Sequence, residues 1–283
     1  MNCFQLVGSV LDELYDEIYS LHGDRTDQII RDELINLSNN FGRLQFSNDI
    51  DYDNLATRFA YIYCYTTAHA DIVYRLISGS MALTNLFNTQ TVEVSCIGGG
   101  PGSDFLGILK FLALSSTDNI KRLRCFICDK EQAWRESWSD VDRKLSVPFS
   151  ISTIFWELDV TETSKLPRQR QVFQADLFTM VYFLSELYYG REDARDFFEA
   201  MVQRAKPGAL FLFIDNNSAC FYDWLDNIAA DGGLEVVEKR EDYRFVVGWD
   251  EQAGDLERYN NKFQRNPKLK AHIAYRIYRK PEE

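Results

Sequence analysis

Residues 92–112 read VEVSCIGGGPGSDFLGILKFL. VEVSCI has the β-branched, apolar make-up of a buried strand, and FLGILKFL that of an apolar helix. Between them glycine fills four of the five positions from Gly98 to Gly102, Pro101 being the exception. Glycines let the chain turn tightly and leave no Cβ in the way of a group approaching the main chain. Ser103 or Asp104 suits the helix N-cap, because a short side-chain oxygen accepts a free N–H of the first turn. A strand-to-helix turn of this kind sits at the carboxyl end of an α/β sheet, where nucleotide-like ligands bind.

Toward the amino terminus the pattern is helical. Leu6, Val10, Leu11, Leu14, Ile18 and Leu21 recur at spacings of three and four, Ile29, Ile30, Leu34 and Leu37 repeat the pattern, and a third run covers Phe59 to Leu76. Toward the carboxyl terminus, short apolar runs at 123–128, 151–156, 176–183 and 209–214 are separated by segments long enough for crossover helices, such as REDARDFFEAMVQRA. That alternation predicts a parallel sheet. The runs at 234–245 and 272–279 are longer, alternate more strictly and have no clear helix pattern between them, so an antiparallel pair is expected at one end. The expected architecture is a three-layer, Rossmann-like α/β sheet, mostly parallel with an antiparallel last strand. A helical cap is expected over residues 1–88 and the sheet domain over 89–283, with Gly79–Asn88 as the hinge.

Composition narrows the class. The chain has 283 residues, 46% of them hydrophobic and 26% charged, which is the make-up of a globular protein with a substantial core. With 43 Asp+Glu against 31 Lys+Arg the net charge is −12, which argues against gripping nucleic acid with the whole surface. Residues 1–60 carry 11 acids and 4 bases, whereas the last 20 carry 6 bases and 2 acids. An acidic cap repels a phosphate backbone and favours a cationic small molecule, a basic protein segment or a partner protein. The six scattered cysteines and the absence of a signal-like start predict a reduced, intracellular setting, the cytoplasm first and the nucleus second. FLGILKFLAL is interrupted by a charge too early to span a membrane. Cys125 and Cys128 are three apart on a strand, so they point to opposite faces and no metal set is expected from them.

Spacing in the glycine turn selects among nucleotide-like ligands. A GxGxxG fingerprint fails because Ser103 occupies the third glycine's place, whereas Gly98, Gly100 and Gly102 fit GxGxG. This turn resembles the S-adenosylmethionine (SAM) binding loop of class I methyltransferases, and GGGPGSD resembles a subset of that family. Gly98, Gly99, Gly100 and Gly102 are then the cofactor loop. The family's usual acid two residues before the first glycine is replaced by Cys96, and Asp104 is the nearby carboxylate. The second strand ends in Asp129, followed by Lys130; an acid there can accept hydrogen bonds from both ribose hydroxyls. After the third strand, the resemblance assigns Asp159 to the adenine amino group and Leu158 and Val160 to the ring. DLFTMVYFLSEL is similar to the family's fourth motif and delivers Tyr182 to Glu186 to the reactive end, and Lys206-Pro207-Gly208 resembles the turn before strand five. The matches keep the family's order over residues 92–279, about two thirds of the chain.

Ahead of the sheet, Tyr61, Tyr65, Ala68 and His69 share helical spacing, and the resemblance implies that Tyr65, its neighbours and Arg58 close over the methionine end. Trp134 is read as packing its own helix. Past strands four and five, Tyr182, Glu186, Asp215, Asn216 and Asn217 are placed to meet the acceptor, with Asp215, Asn216 and Tyr182 as the catalytic candidates. No Asn/Asp-Pro-Pro-aromatic run follows strand four, which lowers the weight of amino-adenine substrates. The resemblance implies methyl transfer from SAM, yielding S-adenosylhomocysteine, to a small-molecule or protein acceptor, with no role for DNA or a membrane. Two alternatives stay open: an RNA methyltransferase, through basic stretches at Lys121/Arg122/Arg124, Arg168/Arg170 and 265–280, and a SAM-binding sensor or scaffold without catalysis.

Overall fold

The computed structural model describes residues 2–41, 50–115, 119–162, 171–248 and 253–282. Its centre is a sheet of seven strands: β1 (Thr91–Ile97), β2 (Arg122–Asp129), β3 (Ser150–Glu157), β4 (Leu177–Val181), β5 (Leu210–Asn216), β6 (Glu235–Val246) and β7 (Lys270–Arg279). They lie in the order β3-β2-β1-β4-β5-β7-β6. The strands β1 to β5 pair in parallel, and β7 runs antiparallel to both β5 and β6. The order reverses beside β1, so a crevice opens at the carboxyl ends of β1 and β4, and the glycine turn borders it.

Side chains alternate across this sheet. Val92, Val94 and Cys96 enter one core with Leu123, Cys125 and Ile127, while Ile97, Phe126 and Cys128 enter the other. Cys125 and Cys128 therefore sit on opposite faces. Helices α9 (Arg195–Arg204) and α10 (Ala219–Asp231) cover the second core through Phe197, Phe198, Trp224 and Ile228. The first core is covered by α6 (Ser103–Leu114), α7 (Trp134–Asp142) and the N-terminal helices α1 (Cys3–His22), α2 (Thr26–Phe41), α3 (Leu55–Tyr61) and α4 (Thr67–Gly79). Burial of about 25 cal/mol per Å² of apolar surface makes this shared core the main tie between the N-terminal helices and the sheet. A buried Lys110–Asp71 ion pair of 2.7 Å adds a polar tie between α6 and α4.

Three local expectations change. Gly79–Asn88, expected as a connecting stretch, contains α5 (Met81–Leu86), with Leu83 and Phe87 fully buried and the Phe87 ring 5.5 Å from that of Phe111. The helix after the glycine turn has Gly102 at its N-cap, so Ser103 and Asp104 lie inside its first turn. A short helix, α11 (Glu257–Phe263), interrupts the link between β6 and β7, buried at Tyr259 and Phe263. Two apolar residues four apart make too short a pattern to register as a helix. Among the described residues no helix is long and apolar enough to cross a membrane.

Candidate active site

The glycine turn is held from three sides. Gly98, Gly100 and Gly102 have φ of +66°, +48° and +83°. A Cβ on Gly98 would lie 2.1 Å from the Phe183 ring, and one on Gly102 2.4 Å from the Trp138 ring, so these two are glycines because aromatic rings pack against them. Gly100 is different: a Cβ there would make ordinary van der Waals contact, 3.9 Å from the Trp134 ring and 4.0 Å from Asp129 Oδ2, with no clash. The N–H of Gly100 donates to Oδ2 of Asp129 at 2.9 Å, and the Glu131 N–H donates to Oδ1 at 3.0 Å. Burial raises the Asp129 pKa to about 6.

The other sequence-predicted cofactor residues divide. Asp104 is turned inward, its carboxyl taken by the Thr179 hydroxyl and the Phe105 N–H, and burial raises its pKa. It stands behind Cys96 and does not replace the missing acid at the turn's surface. Leu158 and Val160 are buried in the second core, since both flank a strand end that folds down over it. Asp159 closes a local turn by accepting the Thr161 N–H at 2.9 Å and its hydroxyl at 2.6 Å. Lys130 is exposed beside Glu131.

A cavity of about 80 Å³ lies next to the turn. Tyr61, Tyr65 and His69 line it from the N-terminal helices, Tyr182 from just past β4, Ser185 and Glu186 from the short helix α8 (Phe183–Leu187), and Asn216 from the end of β5; Phe41 and Lys268 complete it. The helix carrying the tyrosines is interrupted by a π-turn at Ile62–Thr66. That wide turn leaves the Cys64 carbonyl able to accept the Lys268 N–H at 2.8 Å, so the segment ahead of β7 is tied to the cap. Tyr182 sits in the left-handed region, φ +56°, with its N–H on the Ile214 carbonyl at 2.7 Å. Its ring stacks on His69 at 4.4 Å, and Lys268 Nζ lies 3.9 Å from its centroid. The Tyr182 hydroxyl and His69 Nε2 are buried with no hydrogen-bond partner among the described residues.

Charge in this cavity is set by burial. Glu186 lines the cavity with part of its side chain exposed, and desolvation followed by repulsion from Asp129 and Asp215 raises its pKa to about 8. His69 is held well below its ordinary value by burial and then by Lys268. Lys268 is lowered to about 8 by burial, against which Asp215 pulls upward.

Of the catalytic candidates, Asn216 and Tyr182 line the cavity and Asp215 does not. Asp215 is fully buried and accepts the N–H groups of Ser185 at 2.9 Å and Asn216 at 2.7 Å, so it braces the wall from behind. Asn217 faces the β6–β7 side, bound to Asp242 and His272. Arg58 is buried on Glu136 and the Tyr52 carbonyl, away from the cavity. Trp134 is packed, 4.8 Å from Tyr52 and 5.2 Å from Tyr61. Sequence reasoning missed Phe41 and Lys268; the latter was visible only as part of a basic stretch.

No protein-family model and no curated protein matches the chain. The fold is similar to that of an O-methyltransferase family protein from Burkholderia thailandensis, at 12% identity over 90% of this chain and 72% of that one, TM-score 0.54. It is also similar to that of the CurJ carbon methyltransferase, at 9% identity over 96% of this chain and 71% of that one, TM-score 0.52. The chain thus has the Rossmann-like fold of class I methyltransferases; at such identities the likeness extends to the fold alone.

A nucleoside-bearing cofactor fits the residues present. The Gly100 N–H and Asp129 stand together at the ends of β1 and β2, each Asp129 oxygen keeps a lone pair beyond its amide bond, and the Tyr182 hydroxyl and His69 Nε2 still need partners.

Proposed function

We propose that this chain is a SAM-dependent methyltransferase. The observation that carries the reading is the glycine turn after β1 with its Gly100 N–H bonded to Asp129, one strand over, beside an aromatic cavity with unpartnered polar groups. Bound SAM supplies a methyl carbon activated by a positive sulfur. The chain's part is to hold ribose hydroxyls on Asp129, to exclude water with Tyr61, Tyr65 and Tyr182, and to orient an acceptor with Asn216. Aromatic faces at the cavity also favour a nearby sulfonium.

The acceptor is a small molecule or a short protein segment. Of the basic stretch 265–280, Arg276 is fully buried on Asp226 and Glu241, and Arg265 donates to the Leu34 carbonyl. Bases spent internally are not available to phosphates, which supports a small acceptor over RNA. Arg168 and Arg170 lie outside the described residues.

Equilibrium titration with SAM and S-adenosylhomocysteine tests the cofactor. Wild type binds both, and Gly100→Arg and Asp129→Ala each weaken binding at least about tenfold. Absence of binding by wild type at about millimolar ligand overturns the reading.

A further inference from the structure

Among the described residues lining the cavity, Lys268 is the one with a cationic side chain, and no carboxylate pairs with its charge. Among the described residues its Nζ donates no hydrogen bond and meets no carboxylate at ion-pair distance; it lies over the rings of Tyr182, at 3.9 Å, and Tyr65, at 5.8 Å. Asp215, whose charge favours the ammonium, sits behind the wall with its oxygens on the Ser185 and Asn216 amides. A half-buried ammonium with three unspent donors calls for an acceptor atom from outside the protein. The surrounding surface is made of flat rings: Phe41, Tyr61, Tyr65, His69 and Tyr182. Such rings take up planar unsaturated groups by stacking and edge contacts.

Resting on the methyltransferase reading above, we infer that the acceptor is a planar phenol or enol whose ionised oxygen pairs with Lys268. The other titratable groups facing that oxygen do not oppose it. Desolvation and repulsion from Asp129 and Asp215 raise Glu186 to about 8, burial holds His69 well below its ordinary value, and Tyr61, Tyr65 and Tyr182 keep their protons because burial raises all three. Ionisation before transfer makes the oxygen the nucleophile: its proton leaves to solvent, an oxygen–carbon bond forms as the carbon–sulfur bond breaks, and the bonding pair stays on sulfur.

An anionic oxygen has two possible sources, the acceptor and the carboxylate of the cofactor itself. Position favours the acceptor. Along the order β2, β1, β4, β5, β7, the glycine turn and Asp129 lie on one side of Tyr182, and Lys268, which enters two residues ahead of β7, lies on the other.

The probe is 4-nitrophenol, whose ionised form absorbs visible light, titrated with pH in the presence of wild-type protein with and without saturating S-adenosylhomocysteine. Wild type lowers the apparent pKa of the bound phenol by about one unit or more. Lys268→Met keeps the aliphatic stem but removes the shift and weakens phenolate binding about tenfold, Lys268→Arg retains both, and S-adenosylhomocysteine affinity is the same in all three. Retention of the Arg variant's shift shows that position 268 tolerates change without unfolding. An equal shift in Lys268→Met, or none in wild type, overturns the assignment. So does a loss of S-adenosylhomocysteine affinity in Lys268→Met with the phenol shift intact, which would give the anion to the cofactor. If wild type binds no S-adenosylhomocysteine, the methyltransferase reading falls, and the phenol titration without it still decides the role of Lys268.

Discussion

On one side of the cavity, everything from Gly98 to Asp129 comes from two adjacent strands and the turn between β1 and α6, and its geometry is fixed by backbone. On the other side, Tyr61, Tyr65, His69, Tyr182, Glu186, Asn216 and Lys268 come from four separate parts of the chain, and their chemistry is fixed by what surrounds them. The first side is built for one kind of group and tolerates little change. The second holds side chains whose protonation is shifted by burial, which is where a fold shared by many activities acquires its own specificity.

The two sides meet at Gly98, where the Phe183 ring from the far wall occupies the place of a Cβ. Gly98→Ala combines left-handed backbone strain with overpacking and is expected to cost about 2–5 kcal/mol, measured by urea unfolding. A cost no larger than that of Gly100→Ala would break the contact between the two sides.

Acid dependence separates the sides by their carboxyls. Asp129 and Asp215 both titrate near 6 in the folded protein, above their ordinary value of 3.8. The native state therefore binds protons that the unfolded chain releases between those values, and stability falls as pH rises through about 6. Unfolding free energy is expected to be greater at pH 5 than at pH 8, with Asp215, the more buried of the two, contributing about 1–3 kcal/mol. Unfolding curves of Asp215→Asn and Asp129→Asn across that range apportion the slope; an unchanged slope in both would show that neither is strained by burial.

The smallest effect belongs to Gly100→Ala. Its Cβ would come only into ordinary van der Waals contact with Trp134 and Asp129, so the backbone conformation alone is penalised, at about 1–2 kcal/mol. The variant is expected to stay folded by circular dichroism while losing cofactor affinity in the same titration used for Gly100→Arg. Folded protein with undiminished affinity would mean that no ligand approaches this part of the turn.

Most of the sheet was legible because its signals are local. VEVSCI followed by four glycines and an apolar helix states a strand, a turn and a crossover within 21 residues, and steric rules for φ and side-chain alternation act over that range. Asp129 follows from the same logic, as a strand end one position over in the sheet. The short helices α5 and α11 were not legible, since six or seven residues carry too little periodicity. Asp215 and Asn216 are neighbours in sequence, yet one braces the wall and the other lines the cavity, a difference of strand register and burial.

By itself, then, the sequence determined a doubly wound sheet with a ligand turn after its first strand, because backbone sterics and hydrophobic period are properties of short segments. Only the tertiary structure decided which side chains share the cavity and what charge they bear. Lys268 stands 86 positions from Tyr182 in the sequence, and its ammonium, the neutral His69 and the raised Glu186 arise from desolvation and mutual charge, which exist only once distant segments have packed together.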